Sequence, residues 1–239
     1  MSNYIDKLKK GSRELGVELN EQQLDQFIKY MEILKEWNQK MNLTAIDDEE
    51  EIVIKHFLDS ISCIKGADFG QIKRVIDVGT GAGFPGVPLK ILFPHLELTL
   101  LDSLKKRITF LKHVGSELGF ENIEYIHGRA EDYGQDEKYR EKYDCSLARA
   151  VASLNILSEY TLPFVKVGGI FLSQRGSEVK DDIIQGEEAI DRLGGSFYDL
   201  IEVEVPYLDA DRSLVVIDKV VSTPDKYPRR AGKPKKRPL

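Results

Sequence analysis

The apolar run 74–78 passes straight into Asp77-Val-Gly79-Thr-Gly81-Ala-Gly83-Phe84-Pro85-Gly86, and no other stretch constrains the fold as tightly. A strand that ends in alternating glycines and turns into a helix brings backbone N–H groups close to a small ligand. Such turns belong to open α/β sheets, where ligands sit at the carboxyl ends of strands. The spacing fits two templates. Gly79-x-Gly81-x-Gly83 suits a methyl-donor site, whereas Gly81-x-Gly83-x-x-Gly86 suits a dinucleotide site. Asp77 tilts the choice, because a carboxylate there would repel a pyrophosphate and suit a cation such as S-adenosylmethionine. The plain alternative is a glycine run that only relieves crowding at a turn.

The following segments repeat the pattern. Glu97-Leu-Thr-Leu-Leu-Asp102 alternates into an acidic end, and 105–119 carries Ile108, Leu111 and Leu118 at helical spacing. Asp102 is therefore expected to end a second strand, where a carboxylate can accept both ribose hydroxyls of an adenosine. A third strand, 123–127, precedes Arg129-Ala130-Glu131-Asp132. There Ala130 can offer a backbone amide to adenine and Glu131 can accept from its exocyclic amine, while Asp132 reads as a helix-dipole complement. A fourth strand, 143–149, ends at Arg149. Many amino-group methyltransferases place an Asn/Asp-Pro-Pro-aromatic motif here, and this chain lacks it. Cys145 lies mid-strand with no Pro-Cys before it, so it reads as core packing.

A fifth strand is expected at 168–174, a helix at 178–193, and two β-rich runs at 197–205 and 212–221. With no helix between them, the last two are expected to pair antiparallel. Seven strands give an α/β fold of the class I S-adenosylmethionine-dependent methyltransferase type, with a Rossmann-like sheet over 71–223. Ahead of it, 1–70 reads as a helical extension. Leu24, Phe27, Ile28, Met31, Leu34, Trp37 and Met41 line one face of a helix from about Glu21. Asp47 or Asp48 caps another, whose buried face is expected to be Ile54, Phe57, Leu58, Ile61 and Ile64. His56 and Asp59 share a neighbouring face and read as a solvent-facing pair.

Several of these residues together resemble one family, the bacterial small-subunit ribosomal RNA methyltransferase G, also called glucose-inhibited division protein B. The resemblance rests on Trp37-Asn38 with Asn42-Leu43-Thr44, His56-x-x-Asp59-Ser60, residues 77–89, and Leu101-Asp102-Ser103 with Lys106-Arg107. Arg129-Ala130-Glu131, Ala148-Arg149-Ala150 and the ending Tyr227-Pro-Arg-Arg-Ala-Gly-Lys-Pro234 complete it. Gln174-Arg175-Gly176 departs from the family pattern, where a lysine before the glycine is expected. The resemblance implies methylation of guanine N7 in the 530 loop of 16S rRNA. N7 has an in-plane lone pair and no proton to lose, so no general base is expected. It also implies cofactor contacts from Gly79, Phe84, Ala130, Glu131 and Arg149, to which the reading above adds Asp77, Gly81 and Asp102. Arg149 is expected either to hold the methionine carboxylate or to stack on guanine. Asn42, His56, Asp59, Arg175, Arg229, Arg230 and Lys233 are expected on the RNA. A ribosome-binding sensor that holds an adenosine ligand without turnover is the alternative, and an NAD-dependent enzyme a weaker one.

The 239 residues are 41% apolar and 31% charged, as in ordinary globular chains. Two cysteines and four scattered histidines give no metal spacing, and no leader or membrane-spanning run is seen. A metal-free, cytoplasmic monomer is expected. The net charge of −6 is uneven: residues 224–239 carry seven Lys/Arg against Asp225 alone, so the tail is +6 and the remainder −12. Four tail prolines are expected to keep it extended as a strap along a phosphate backbone. On that reading, removing 229–239 weakens RNA binding and leaves cofactor affinity intact.

Overall fold

The computed structural model describes residues 3–149, 152–176 and 179–239. Ala150 of the 148–150 motif and Glu178 at the expected helix start lie outside the described residues. Five strands, β1 (Arg74–Val78), β2 (Glu97–Asp102), β3 (Ile123–His127), β4 (Tyr143–Arg149) and β5 (Val165–Arg175), run parallel. β6 (Gly195–Glu202) and β7 (Ser213–Lys219) pair antiparallel, and β7 is also antiparallel to β5. The sheet order is β3-β2-β1-β4-β5-β7-β6. The order reverses between β1 and β4, which makes the carboxyl edge there the natural crevice for a ligand.

β5 begins three residues before the expected start, because Val165 already pairs with Tyr143, and a bulge that contains Gly168 at φ +83° separates that pair from Cys145 and Ile170. Glycine alone takes that conformation without strain. The helices α1 (Asn3–Glu14), α2 (Glu21–Met41), α5 (Gly86–Leu92), α6 (Lys105–Glu117), α7 (Ala130–Tyr133), α8 (Leu154–Thr161), α9 (Val179–Arg192) and α10 (Lys233–Lys236) fill out the chain. Asn20 opens α2 with a capping box: its side chain accepts from the Gln23 N–H while Gln23 accepts from its backbone.

The segment between α2 and the sheet departs from expectation. Asp48 caps α3 (Glu49–Ile52), which continues into a π-helical turn (Val53–Leu58), a single α-turn α4 (Asp59–Ile61) and a 3-10 turn (Ser62–Lys65). The wide turn rotates the buried face. Ile54 and Ile64 are half-buried, while His56, Asp59, Ser60 and Cys63 point inward beside Phe57, Leu58 and Ile61. His56 and Asp59 are thus a buried pair and not a solvent-facing one.

The helical extension shares one core with the sheet. Leu8, Phe27, Leu34 and Phe57 belong to the same buried cluster as Val75, Leu98, Leu147 and Val216. Aromatic contacts carry it to the glycine loop, with Tyr30 5.5 Å from Phe57 and 5.4 Å from Phe84 between ring centroids. No described helix is long and apolar enough to cross a membrane.

Candidate functional site

The loop after β1 holds its shape by left-handed glycines and by one buried carboxylate. Gly79, Gly81 and Gly83 have φ of +73°, +64° and +102°. At Gly83 a Cβ would come within 2.8 Å of the Tyr30 hydroxyl and 2.7 Å of Val87, so only glycine fits. Asp77 lies beneath the loop, with Oδ2 accepting from the Thr80 hydroxyl at 2.8 Å and from the Gly86 N–H at 2.9 Å. Full burial raises its pKa to about 7. Asp77 therefore braces the loop from below and does not line the crevice, which corrects its reading as a cation contact.

Above the loop lies a cleft of about 390 Å³, lined by Gly79, Gly81, Phe84, Asp102, Arg149 and His56 together with Thr44 and Arg107. Asp102 ends β2 as expected. Its carboxylate accepts from Gly81 N–H at 3.0 Å, Leu104 N–H at 2.8 Å and Arg107 at 3.1 Å. A carboxylate offers about four acceptor positions, so one remains for a ligand hydroxyl.

Arg149, at the end of β4, crosses the switch point. Its guanidinium carbon sits 4.9 Å from the centroid of the Phe84 ring, and His56 stacks on Phe84 at 4.5 Å. Nη1 donates to Asp59 Oδ2 at 3.0 Å and to the Lys55 carbonyl at 3.3 Å. Asp59, only 3% exposed, accepts from a second cation: Arg212 Nε donates to Oδ1 at 2.9 Å. One carboxylate thus faces two permanent cations.

His56 is neutral here, because burial and then the nearby Arg149 charge lower its pKa to about 4. Nδ1 lies 3.1 Å from the Lys55 carbonyl, which can only accept, and 3.4 Å from Arg149 Nη2, which can only donate, while Nε2 lies 2.9 Å from the Thr44 hydroxyl. Both ring nitrogens are committed. Asn38 Oδ1 sets Thr44 in place by accepting from the Leu43 and Thr44 N–H groups at 2.7 and 2.9 Å, after Asn42 ends α2 at φ +49°. This turn explains the Trp37-Asn38 and Asn42-Leu43-Thr44 pattern in structural terms.

The remaining expected residues fall elsewhere. Ala130 and Glu131 open α7, after β3, outside the cleft lining. Glu131 Oε1 accepts from the Gly232 N–H at 2.7 Å. Arg175 is ion-paired with Asp182 on α9, and Arg229 with Glu159 on α8 at 2.6 Å, so neither charge is free. The tail is folded, not extended: Tyr227, Pro228 and Pro234 are buried, while Arg230 and Lys233 are exposed. Among the described residues no group of metal-ligating side chains is present, and Cys63 and Cys145 are buried thiols. Sequence reasoning assigned no role to Arg212 or Glu159. No local pattern marks either one.

A seven-stranded sheet with this order and a glycine loop at its switch point is the architecture of the class I methyltransferases. Among solved structures, the [4+2]-cyclase SpnF superposes with a TM-score of 0.54 at 13% identity, over 68% of this chain and 80% of its own. The ribosomal protein L11 methylase of Lactobacillus delbrueckii subsp. bulgaricus gives 0.52 at 14% identity, over 68% and 77%. Those likenesses concern the fold alone.

Sequence similarity reaches further. The pattern of the family described as rRNA small subunit methyltransferase G matches residues 23–212. Ribosomal RNA small subunit methyltransferase G of Alkaliphilus metalliredigens is 54% identical over 232 residues, covering 97% of each chain. That of Thermoanaerobacter pseudethanolicus is 53% identical over 235 residues, covering 98% of each. The chain belongs to the rRNA small subunit methyltransferase G family.

Proposed function

We propose that this methyltransferase moves the methyl group of S-adenosylmethionine to N7 of one guanine in the 530 loop of 16S rRNA, acting as a cytoplasmic monomer. The observation that carries this reading is that, among the described residues, His56, Asp59 and Asp77 are all engaged within the protein, and the cleft's remaining carboxylate, Asp102, ends β2 where a ribose is expected. His56 has both nitrogens engaged, Asp59 is bound by two arginines, and Asp77 lies under the loop. An exocyclic amine would need a proton taken away; N7 of guanine does not.

The residues present fit the methyl donor. The backbone at Gly81 leaves room, a Cβ there meeting nothing nearer than 3.9 Å. The open acceptor position on Asp102 suits a ribose hydroxyl, and Ala130 with Glu131 suits adenine. Arg149 suits the methionine carboxylate, its guanidinium held by Asp59 and Lys55. Bound there, S-adenosylmethionine supplies an electrophilic methyl group. The chain then contributes alignment: Phe84, packed by His56 and Arg149, forms a wall that holds the donor in line with the incoming guanine. Exposed Asn42, Arg230 and Lys233 are left to contact the RNA backbone.

The test is transfer of labelled methyl from S-adenosylmethionine to small ribosomal subunits from a strain without the enzyme, followed by nucleoside analysis. Labelled 7-methylguanosine, lost in Gly79→Asp, is the expected result. A different methylated nucleoside would keep the fold and cancel the target.

A further inference from the structure

The family pattern stops at residue 212, short of the tail. Because β7 runs antiparallel to β5, from Ser213 beside Arg175 to Asp218 beside Ile170, the chain leaves the sheet at the edge away from the cleft. It then climbs back along the outside. Arg140 donates to the Thr223 carbonyl at 2.6 Å and the Tyr227 carbonyl at 2.7 Å, and Gln135 donates to the Asp225 and Pro228 carbonyls at 3.0 and 2.9 Å. Next comes an ionic anchor. Glu159 is wholly buried and accepts from the Arg229 backbone N–H at 2.7 Å, Nε at 2.9 Å and Nη2 at 2.6 Å. Three residues on, at φ +80°, Gly232 turns its N–H onto Glu131 Oε1. The tail thus ends its climb at the start of α7, which follows the carboxyl end of β3 at the same edge of the sheet as Asp102.

We propose that the docked tail completes the adenine end of the cofactor site, with Glu159 as a positioning residue that acts through Arg229 and Gly232 to fix the Glu131 carboxylate. This rests on the reading of Glu131 as an adenine contact. The Gly232 amide occupies one oxygen and leaves Oε2 to accept from an exocyclic amine. Without the tail, Glu131 has to be ordered by the cofactor itself, at the cofactor's expense in affinity. Coupling of this kind is reciprocal: cofactor binding holds the tail down by the same factor. The docked tail also presents exposed Arg230, Lys233, Lys235 and Lys236 beside the loaded site, so methyl donor and RNA-binding charge are displayed together. This predicts the opposite of the expectation that tail removal spares cofactor affinity.

The test uses calorimetric titration of S-adenosylhomocysteine and of its inosine counterpart into the full chain. Both titrations are repeated on a chain ending at residue 228 that also carries Glu159→Gln, so that Glu159 is not left as a bare buried charge. The truncated chain is expected to bind the adenosine compound about tenfold more weakly and to lose its preference over the inosine compound, which a merely structural role would not erase. In the unaltered chain, saturating cofactor is expected to slow tryptic cleavage after Arg230 and Lys235 by a similar factor. Equal affinity in both chains, or cleavage indifferent to cofactor, would overturn the proposal. Failure of the unaltered chain to bind the adenosine compound would overturn the cofactor reading itself, and the proposal with it.

Discussion

Two buried carboxylates at the carboxyl half of the sheet hold arginines in opposite ways. Asp59 shares its single charge between Arg149 and Arg212, whereas Glu159 gives both oxygens to Arg229 alone. The first cluster keeps a cation over and opens onto the cleft; the second is neutral and closed. A buried ion pair is weak evidence for a functional site, because burying two charges costs about as much as their attraction returns. Surplus charge facing a cavity is the better sign. By that measure Arg149 is available to a ligand, and Arg229, which the sequence placed on the RNA, is not.

The contrast is most exposed by stability. Arg229→Ala leaves Glu159 buried and bare, so urea unfolding is expected to show a loss of about 3–5 kcal/mol. Arg149→Ala leaves Asp59 still paired with Arg212, and a loss under about 2 kcal/mol is expected. Equal losses would break the comparison. Activity should rank the two the other way. Arg149→Ala is expected to lower kcat/KM about 100-fold, close to 2.7 kcal/mol of transition-state stabilisation, against about tenfold for Arg229→Ala, confined to the KM for the methyl donor.

A third test concerns pH. Folded Asp77 keeps its proton up to about pH 7, against 3.8 when exposed, so its contribution is present at low pH and lost as pH rises through that window. His56 works in the opposite sense. Its pKa falls from 6.5 to about 4, so its contribution is present above pH 6.5 and lost as pH falls towards 4. The two slopes offset each other. Asp77→Asn should unmask acid lability on the order of 2 kcal/mol, and His56→Gln the reverse, each read from unfolding midpoints between pH 4 and 7. The smallest effect is expected on RNA. Arg230→Gln should lower the salt slope of binding by about one contact, whereas Arg175→Gln, already neutralised by Asp182, should leave it unchanged.

What could be read in the sequence was whatever local pattern determines. All seven strands announce themselves as β-rich runs between turn signals, and the glycines at 79, 81 and 83 are needed for their backbone angles. Asp102 followed from its place at a strand end. Asp77 was located correctly, yet its side chain turns down and not up, a choice made by the Thr80 and Gly86 donors across the turn. Arg212 and Glu159 were missed because each gains meaning only from a partner far away in the chain, at Asp59 and Arg229. The tail misled for a related reason. Four prolines suggested an extended strap, but Arg140 and Glu159, neither of them in the tail, fold it down.

The π-helical turn at Val53–Leu58 has a consequence best put as gearing. A wide turn acts like one extra residue in the helix and advances everything after it by roughly 100° relative to everything before. Residues ahead of it mesh with the first helix, where Lys7 pairs with Glu50. Residues behind it mesh with the sheet, through Asp59 and Arg149. One rod thereby engages two surfaces that a regular helix could not face at once. Taking a single residue out of the turn would unscrew Asp59 from the cleft while leaving every side chain in the protein's core of the same chemical kind.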